Sequence, residues 1–119
     1  MEDKPILQSV KDYLGITEEI HDFDVILIGH INATFAYFTQ LGIGPVGGFS
    51  ISGPDETWGQ YIKSPVFNDV PSLMGAKVKQ AFDPPPTGSV SQSLDRVISE
   101  LEWRITACLL YTSDAADDL

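Results

Sequence analysis

The chain has 119 residues, 43% of them hydrophobic and 20% charged, which suits one domain with a modest core and argues against disorder. Seven Lys plus Arg against 17 Asp plus Glu leave a net charge of −10, the wrong sign for gripping a phosphate backbone, so groove-reading nucleic-acid binders are excluded. The most apolar run, Val25 to Ile28, has four residues where a spanning helix needs about 20, and the acidic start Met1-Glu2-Asp3-Lys4-Pro5 lacks the basic and apolar stretches of a signal peptide, so the expected setting is inside a cell. A lone Cys108 permits no internal disulfide and no cysteine metal cluster.

Ile6, Leu7, Val10, Tyr13 and Leu14 fall on one helical stripe bounded by Pro5 and Gly15, which predicts a short first helix. Asp22 or Asp24 can cap a second, longer helix whose apolar face is Leu27, Ile28, Ile31, Phe35, Phe38 and Leu41, with Gly42 ending it. Asn32 and Thr34 lie between those positions and are expected to face solvent or a neighbouring subunit. Residues 42–53 hold five glycines in twelve positions, a composition for turns and close backbone approach. Within that loop Phe49-Ser50-Ile51 alternates like a strand, leaving room for a short extended or hairpin element. Pro54-Asp55-Glu56-Thr57 reads as a helix start leading into Trp58, Tyr61 and Ile62 for one or two turns.

Asn68 or Asp69 can cap the next helix, with Pro71 in its first turn and Leu73, Met74, Val78, Ala81 and Phe82 as its stripe. Gly75 inside that segment is a cost to helix formation. The run Asp83-Pro84-Pro85-Pro86 stops it near Phe82. Ser89 or Ser91 caps the last helix, where Leu94, Val97, Ile98, Leu101 and Ile105 share a face. The expected fold is therefore mainly α, a bundle of four to five helices with one long glycine-rich loop.

The ending differs in character. Cys108-Leu109-Leu110-Tyr111-Thr112-Ser113-Asp114-Ala115-Ala116-Asp117-Asp118 resembles one reading frame through the mosaic-end adapter of transposase-based DNA sequencing. Residues 108–119 are thus expected to be a read-through tail outside the single domain of residues 1–107, either frayed or passively continuing the last helix. Without the tail's three Asp the body still carries −7.

No residue set reads as a catalytic, metal or cofactor site. His21 and His30 are nine apart, against the four of a helical metal pair. Gly42-Ile43-Gly44-Pro45-Val46-Gly47 matches the bare G-x-G-x-x-G spacing, but it follows a helix and lacks the Lys-Ser/Thr of a phosphate loop, and Pro45 removes a donor. Glu18-Glu19 and Asp55-Glu56 are neighbours in sequence with no facing acid, so they read as cap and solvent charges. Trp58 and Trp103 read as core or interface anchors.

Taken in order, Pro5-Ile6-Leu7 to Tyr13-Leu14-Gly15, Asp24 through His30-Ile31-Asn32, Gln40-Leu41-Gly42-Ile43-Gly44-Pro45, Trp58, Lys77-Val78-Lys79 with Phe82-Asp83-Pro84-Pro85, and Glu100-Leu101-Glu102-Trp103-Arg104-Ile105 resemble the head-tail connector, or adaptor, proteins of tailed bacteriophages. The resemblance covers residues 4–106 and implies a helical, non-enzymatic subunit without cofactor. Its expected partners are further copies of itself in a ring, the portal protein, and the next neck or tail protein. It implies a place in the virion neck, with host cytoplasm as the site of assembly, no membrane, and DNA only as a passing genome. The candidate subunit or portal interface is Pro45, Phe49, Ile51 and Trp58 in and beside the glycine-rich loop. The other reading of the acidic body is a small protein-binding regulator of a phage or prophage.

Overall fold

The computed structural model describes residues 4–62 and 68–117, with side chains up to residue 107. Five helices follow in order: α1 (Ile6–Leu14), α2 (Asp24–Gln40), α3 (Trp58–Tyr61), α4 (Val70–Phe82) and α5 (Gly88–Asp117). The mainly helical bundle expected from the periodicity is the observed architecture, with α5 running on through the tail segment to Asp117. Helix α4 is its centre, packing against α1, α2 and α5. Ile6, Val10, Leu27, Ile31, Phe35, Leu73, Met74, Val78, Leu101 and Ile105 close the core between them.

Local chemistry explains most boundaries. Pro5 sits at the N-cap of α1, and Gly15 ends it in the left-handed region at φ 77°, where the Ile16 N–H reaches back to the Lys11 carbonyl at 2.8 Å, as in a Schellman close. Helix α4 stops at Phe82 because Asp83 precedes a proline and adopts φ −140°, ψ 66°, outside the helical region. Three starts differ from expectation. Neither Asp22 nor Asp24 caps α2; Phe23 holds the N-cap position without a side-chain cap bond, because Asp24 is drawn to Lys11 at 3.1 Å. Helix α4 begins after Asp69, which likewise makes no side-chain cap and lies 3.8 Å from Arg104. Helix α5 begins at Gly88, ahead of Ser89 and Ser91, and the Thr87 hydroxyl accepts a long bond from the Val90 N–H at 3.4 Å.

Gly75 has a packing reason. A Cβ there would lie 2.5 Å from Tyr13 Cγ and 3.0 Å from Tyr13 Cβ, so the missing side chain is what lets α1 lie against α4. Four residues assigned to apolar or anchoring positions instead face water: Tyr13, Val97 and Trp103 are 43%, 44% and 70% exposed, and Ala81 is exposed as well.

Candidate interaction surface

The glycine-rich loop is tied to α2 at several points along its length. At its start, the Ile43 N–H bonds to the Phe38 carbonyl at 2.9 Å and Ile43 is fully buried. Gly44 has φ 85°, and a Cβ on it would lie 2.6 Å from the Tyr61 ring; only glycine allows both that conformation and that approach. The Tyr61 hydroxyl donates to the Ile43 carbonyl at 3.2 Å, and burial pushes its pKa well above the usual tyrosine value.

Farther along the loop, the Asn32 side chain donates to the Ile51 carbonyl at 2.9 Å and accepts the Ile51 N–H at 2.8 Å. Asn32 therefore faces its own loop, not solvent or a neighbour, and supplies the donor and acceptor that a second strand would have offered to 49–51. This is why the strand-like alternation there forms no strand among the described residues; the one bridge is Pro5 with Thr57. Thr34 is also turned inward, its hydroxyl donating to the His30 carbonyl at 2.8 Å. Past Ile51, the Glu56 carboxylate accepts the Ser52 N–H at 2.7 Å and its hydroxyl at 2.9 Å. The backbone bond from Ser52 is the main reason this carboxyl sits below its usual pKa.

These ties sort the four candidate residues. Ile51 is 3% exposed and belongs to the subunit's own core. Phe49 and Trp58 are half-buried in an aromatic cluster around Phe35: Phe49 is 5.2 Å from Phe35 and from Tyr61, and Trp58 is 6.0 Å from Phe35. The indole Nε1 of Trp58 is enclosed without a partner among the described residues. Pro45 is exposed at a tip closed by the Gly48 N–H on the Pro45 carbonyl at 3.0 Å. Beside it Val46, absent from the candidate set, is 99% exposed. The tip overlooks an open groove of 660 Å³ bounded by Asn32, Ala36, Thr39 and Phe49.

A second groove lies on the other flank of α2. Side chains advance about 100° per residue around a helix, so Asn32, Ala36 and Thr39 point one way and His30, Ala33 and Tyr37 roughly the opposite way. The latter three, with Thr34 and with Lys77, Gln80 and Ala81 of α4, line 310 Å³. Phe82 continues the groove's apolar end, 5.5 Å from Phe23 and 6.2 Å from His30. At the other end the Tyr37 hydroxyl donates to Glu102 at 3.0 Å. Partial burial, then the bond to Glu102, pushes the tyrosine pKa up.

The corner joining α1 to α2 is organised by a residue the sequence reading did not single out. Lys11 is 2% exposed; its ammonium donates to the Ile20 carbonyl at 2.6 Å, lies 3.4 Å from the Glu18 carbonyl and pairs with Asp24 at 3.1 Å. The other Asp24 oxygen meets His21 Nδ1 at 3.0 Å. Desolvation works to raise the Asp24 pKa, but the bonds from His21 and Lys11 and their charges outweigh it and hold the carboxyl below its usual value. The sequence carries the signal: Lys11 completes an i, i+3, i+4, i+7 stripe with Leu7, Val10 and Leu14, a core slot for an aliphatic stem with its charge at the end.

Among the described residues no group of three or more His, Cys, Asp or Glu is placed to hold a metal, and no helix is long and apolar enough to cross a membrane. Of Glu18, Glu19, His21, His30, Asp55 and Glu56, only His30 lines either groove. The family model for phage connector proteins matches residues 6–111. No curated protein and no solved structure matches the chain.

Proposed function

Because the chain belongs to the phage connector protein family, we propose that it is a non-enzymatic subunit of a homo-oligomeric ring in the virion neck, seated between the portal vertex and the next neck or tail protein. The observation that carries this reading is the family match, which spans α1 to α4, most of α5 and the loop between α2 and α3. The matched family establishes the broader role, a structural connector of the phage particle in contact with other head or tail proteins; ring and portal are the further step.

The surfaces suit that step. A ring needs a heterologous contact, two different faces that fit each other, and α2 carries a groove on each flank. The rigidly tied loop presents Pro45 and Val46 outward, and Phe49 and Trp58 support it from beneath, so in this reading the tip is the contact and Ile51 acts by holding it. The body charge of −7 would let DNA pass a ring channel without sticking, since like charges keep the phosphate backbone off the wall. Residues 108–119 play no part in the proposal, which takes residues 1–107 as the working domain.

Native mass spectrometry of the full chain, alone and with the portal protein encoded beside its gene, tests the reading. A closed oligomer or a symmetric complex with the portal protein supports it. A chain that stays monomeric and ignores the portal protein refutes it in favour of a protein-binding regulator.

A further inference from the structure

Among the described residues, Lys4, Lys11, Lys79 and Arg104 each have a carboxylate at 3.8 Å or less. Lys77 and the exposed Arg96 do not; the Lys77 ammonium sits over the Tyr37 ring, 4.3 Å from the centroid, in the groove between α2 and α4. In a chain with 17 acidic residues, a half-buried cation left without a carboxylate, at the side of a groove that continues to Phe23 and Phe82, marks a landing point for an apolar side chain accompanied by an acid. The chain carries such a segment in the corner at residues 15–23. There Ile20 is 42% exposed, with exposed Glu18 and Asp22 on either side. Lys11 draws the Glu18 and Ile20 carbonyls inward, which fixes the corner's backbone before any partner arrives and lowers the ordering cost of binding.

We propose that the α2–α4 groove receives the 15–23 corner of a second copy, Ile20 entering against His30 and Ala81 while the Glu18 or Asp22 carboxylate reaches Lys77. The inference deepens the copy-to-copy association proposed above and rests on it. Phe23 of the subunit's own corner meets Phe82 at the groove's end, 5.5 Å away, but no residue of 15–23 lines the part beside Lys77, which is left for another copy. The contact joins two different faces, the type that closes rings.

Sedimentation velocity of the full chain over a concentration series, with circular dichroism as the folding check, tests the contact. Lys77→Glu, and separately Glu18→Lys with Asp22→Lys, should each weaken self-association by roughly tenfold or more, because each sets like charges face to face. Combining the three substitutions in one chain should restore association, which a merely misfolded variant would not do. Added salt should weaken the wild-type contact. Wild-type association that ignores both charge reversals overturns this contact and leaves the ring reading standing. A wild type that stays monomeric throughout overturns the contact, whereas failure of the ring reading itself requires that the portal protein also recruit no copies.

Discussion

Replacing Gly75 by alanine sets two effects of opposite sign against each other. Helix propensity alone favours the substitution by about 1 kcal/mol, because alanine loses less backbone freedom in a helix interior. The new Cβ, however, would stand 2.5 and 2.7 Å from Tyr13 Cγ and Cδ2 and 3.0 Å from Tyr13 Cβ. Turning the 43% exposed Tyr13 ring toward solvent relieves the first two contacts, but the third follows the α1 backbone, so α1 and α4 must part. Overpacking of this kind costs about 1–3 kcal/mol, and set against the propensity gain the net expectation is a loss of up to about 2 kcal/mol. At this chain length that lowers Tm by up to roughly 8 °C. In a Tyr13→Gly background all three contacts are gone, and Gly75→Ala should be neutral or stabilising by up to about 1 kcal/mol, a coupling of roughly 2 kcal/mol. Urea unfolding followed at 222 nm, with the slope m checked for constancy, measures all four corners of this cycle. A single Gly75→Ala variant more stable than wild type, or additive effects of the two substitutions, would refute the packing account.

Asn32→Ala removes both side-chain bonds to Ile51 and leaves its backbone groups half-buried without partners; a loss of about 1–3 kcal/mol is expected, with hydrogen-exchange protection falling at the Ile51 amide and little changed in α5. Lys11→Met keeps the aliphatic stem but strips two carbonyls and Asp24 of their cation. Removing one member of a buried pair costs about 3–5 kcal/mol, less here because water reaches Asp24, so about 2–3 kcal/mol should be read in denaturant titration; an unchanged midpoint would remove Lys11 as organiser of the corner. Asp24 titrates lower in the folded chain than in the unfolded one, so its contribution is fully present above the unfolded value of about 4 and lost as pH falls through the folded value. The stability gap between wild type and Asp24→Asn should accordingly hold at neutral pH and close in acid unfolding curves below about pH 4.

The helices were legible from residue spacing because each buries one stripe against α4, and burial of a stripe leaves its period in the sequence. Their ends were legible where a covalent constraint acts: Pro5, Gly15 and the prolines after Asp83 permit few alternatives. Caps were misread at Asp22, Asp24 and Ser89 because a carboxylate or hydroxyl near a helix start can serve either the backbone or a tertiary partner, and Lys11 outbid the helix for Asp24. The four candidate interface residues were chosen for apolar character beside a flexible-looking loop, and that signal does not distinguish a side chain exposed for a partner from one tucked beneath its own loop. Val46 and Ile51 are both aliphatic loop residues, yet one is 99% and the other 3% exposed, and the difference rests on Asn32, which lies nineteen residues before Ile51 in sequence and is brought to it by the fold.

Composition and order of residues determined by themselves that the chain is acidic and mainly helical, since charge, period and punctuation are properties of the chain. Which glycines are close contacts, which aromatic rings support the loop, and which cations lack a carboxylate were decided by tertiary structure, because each depends on what another segment brings within a few ångströms.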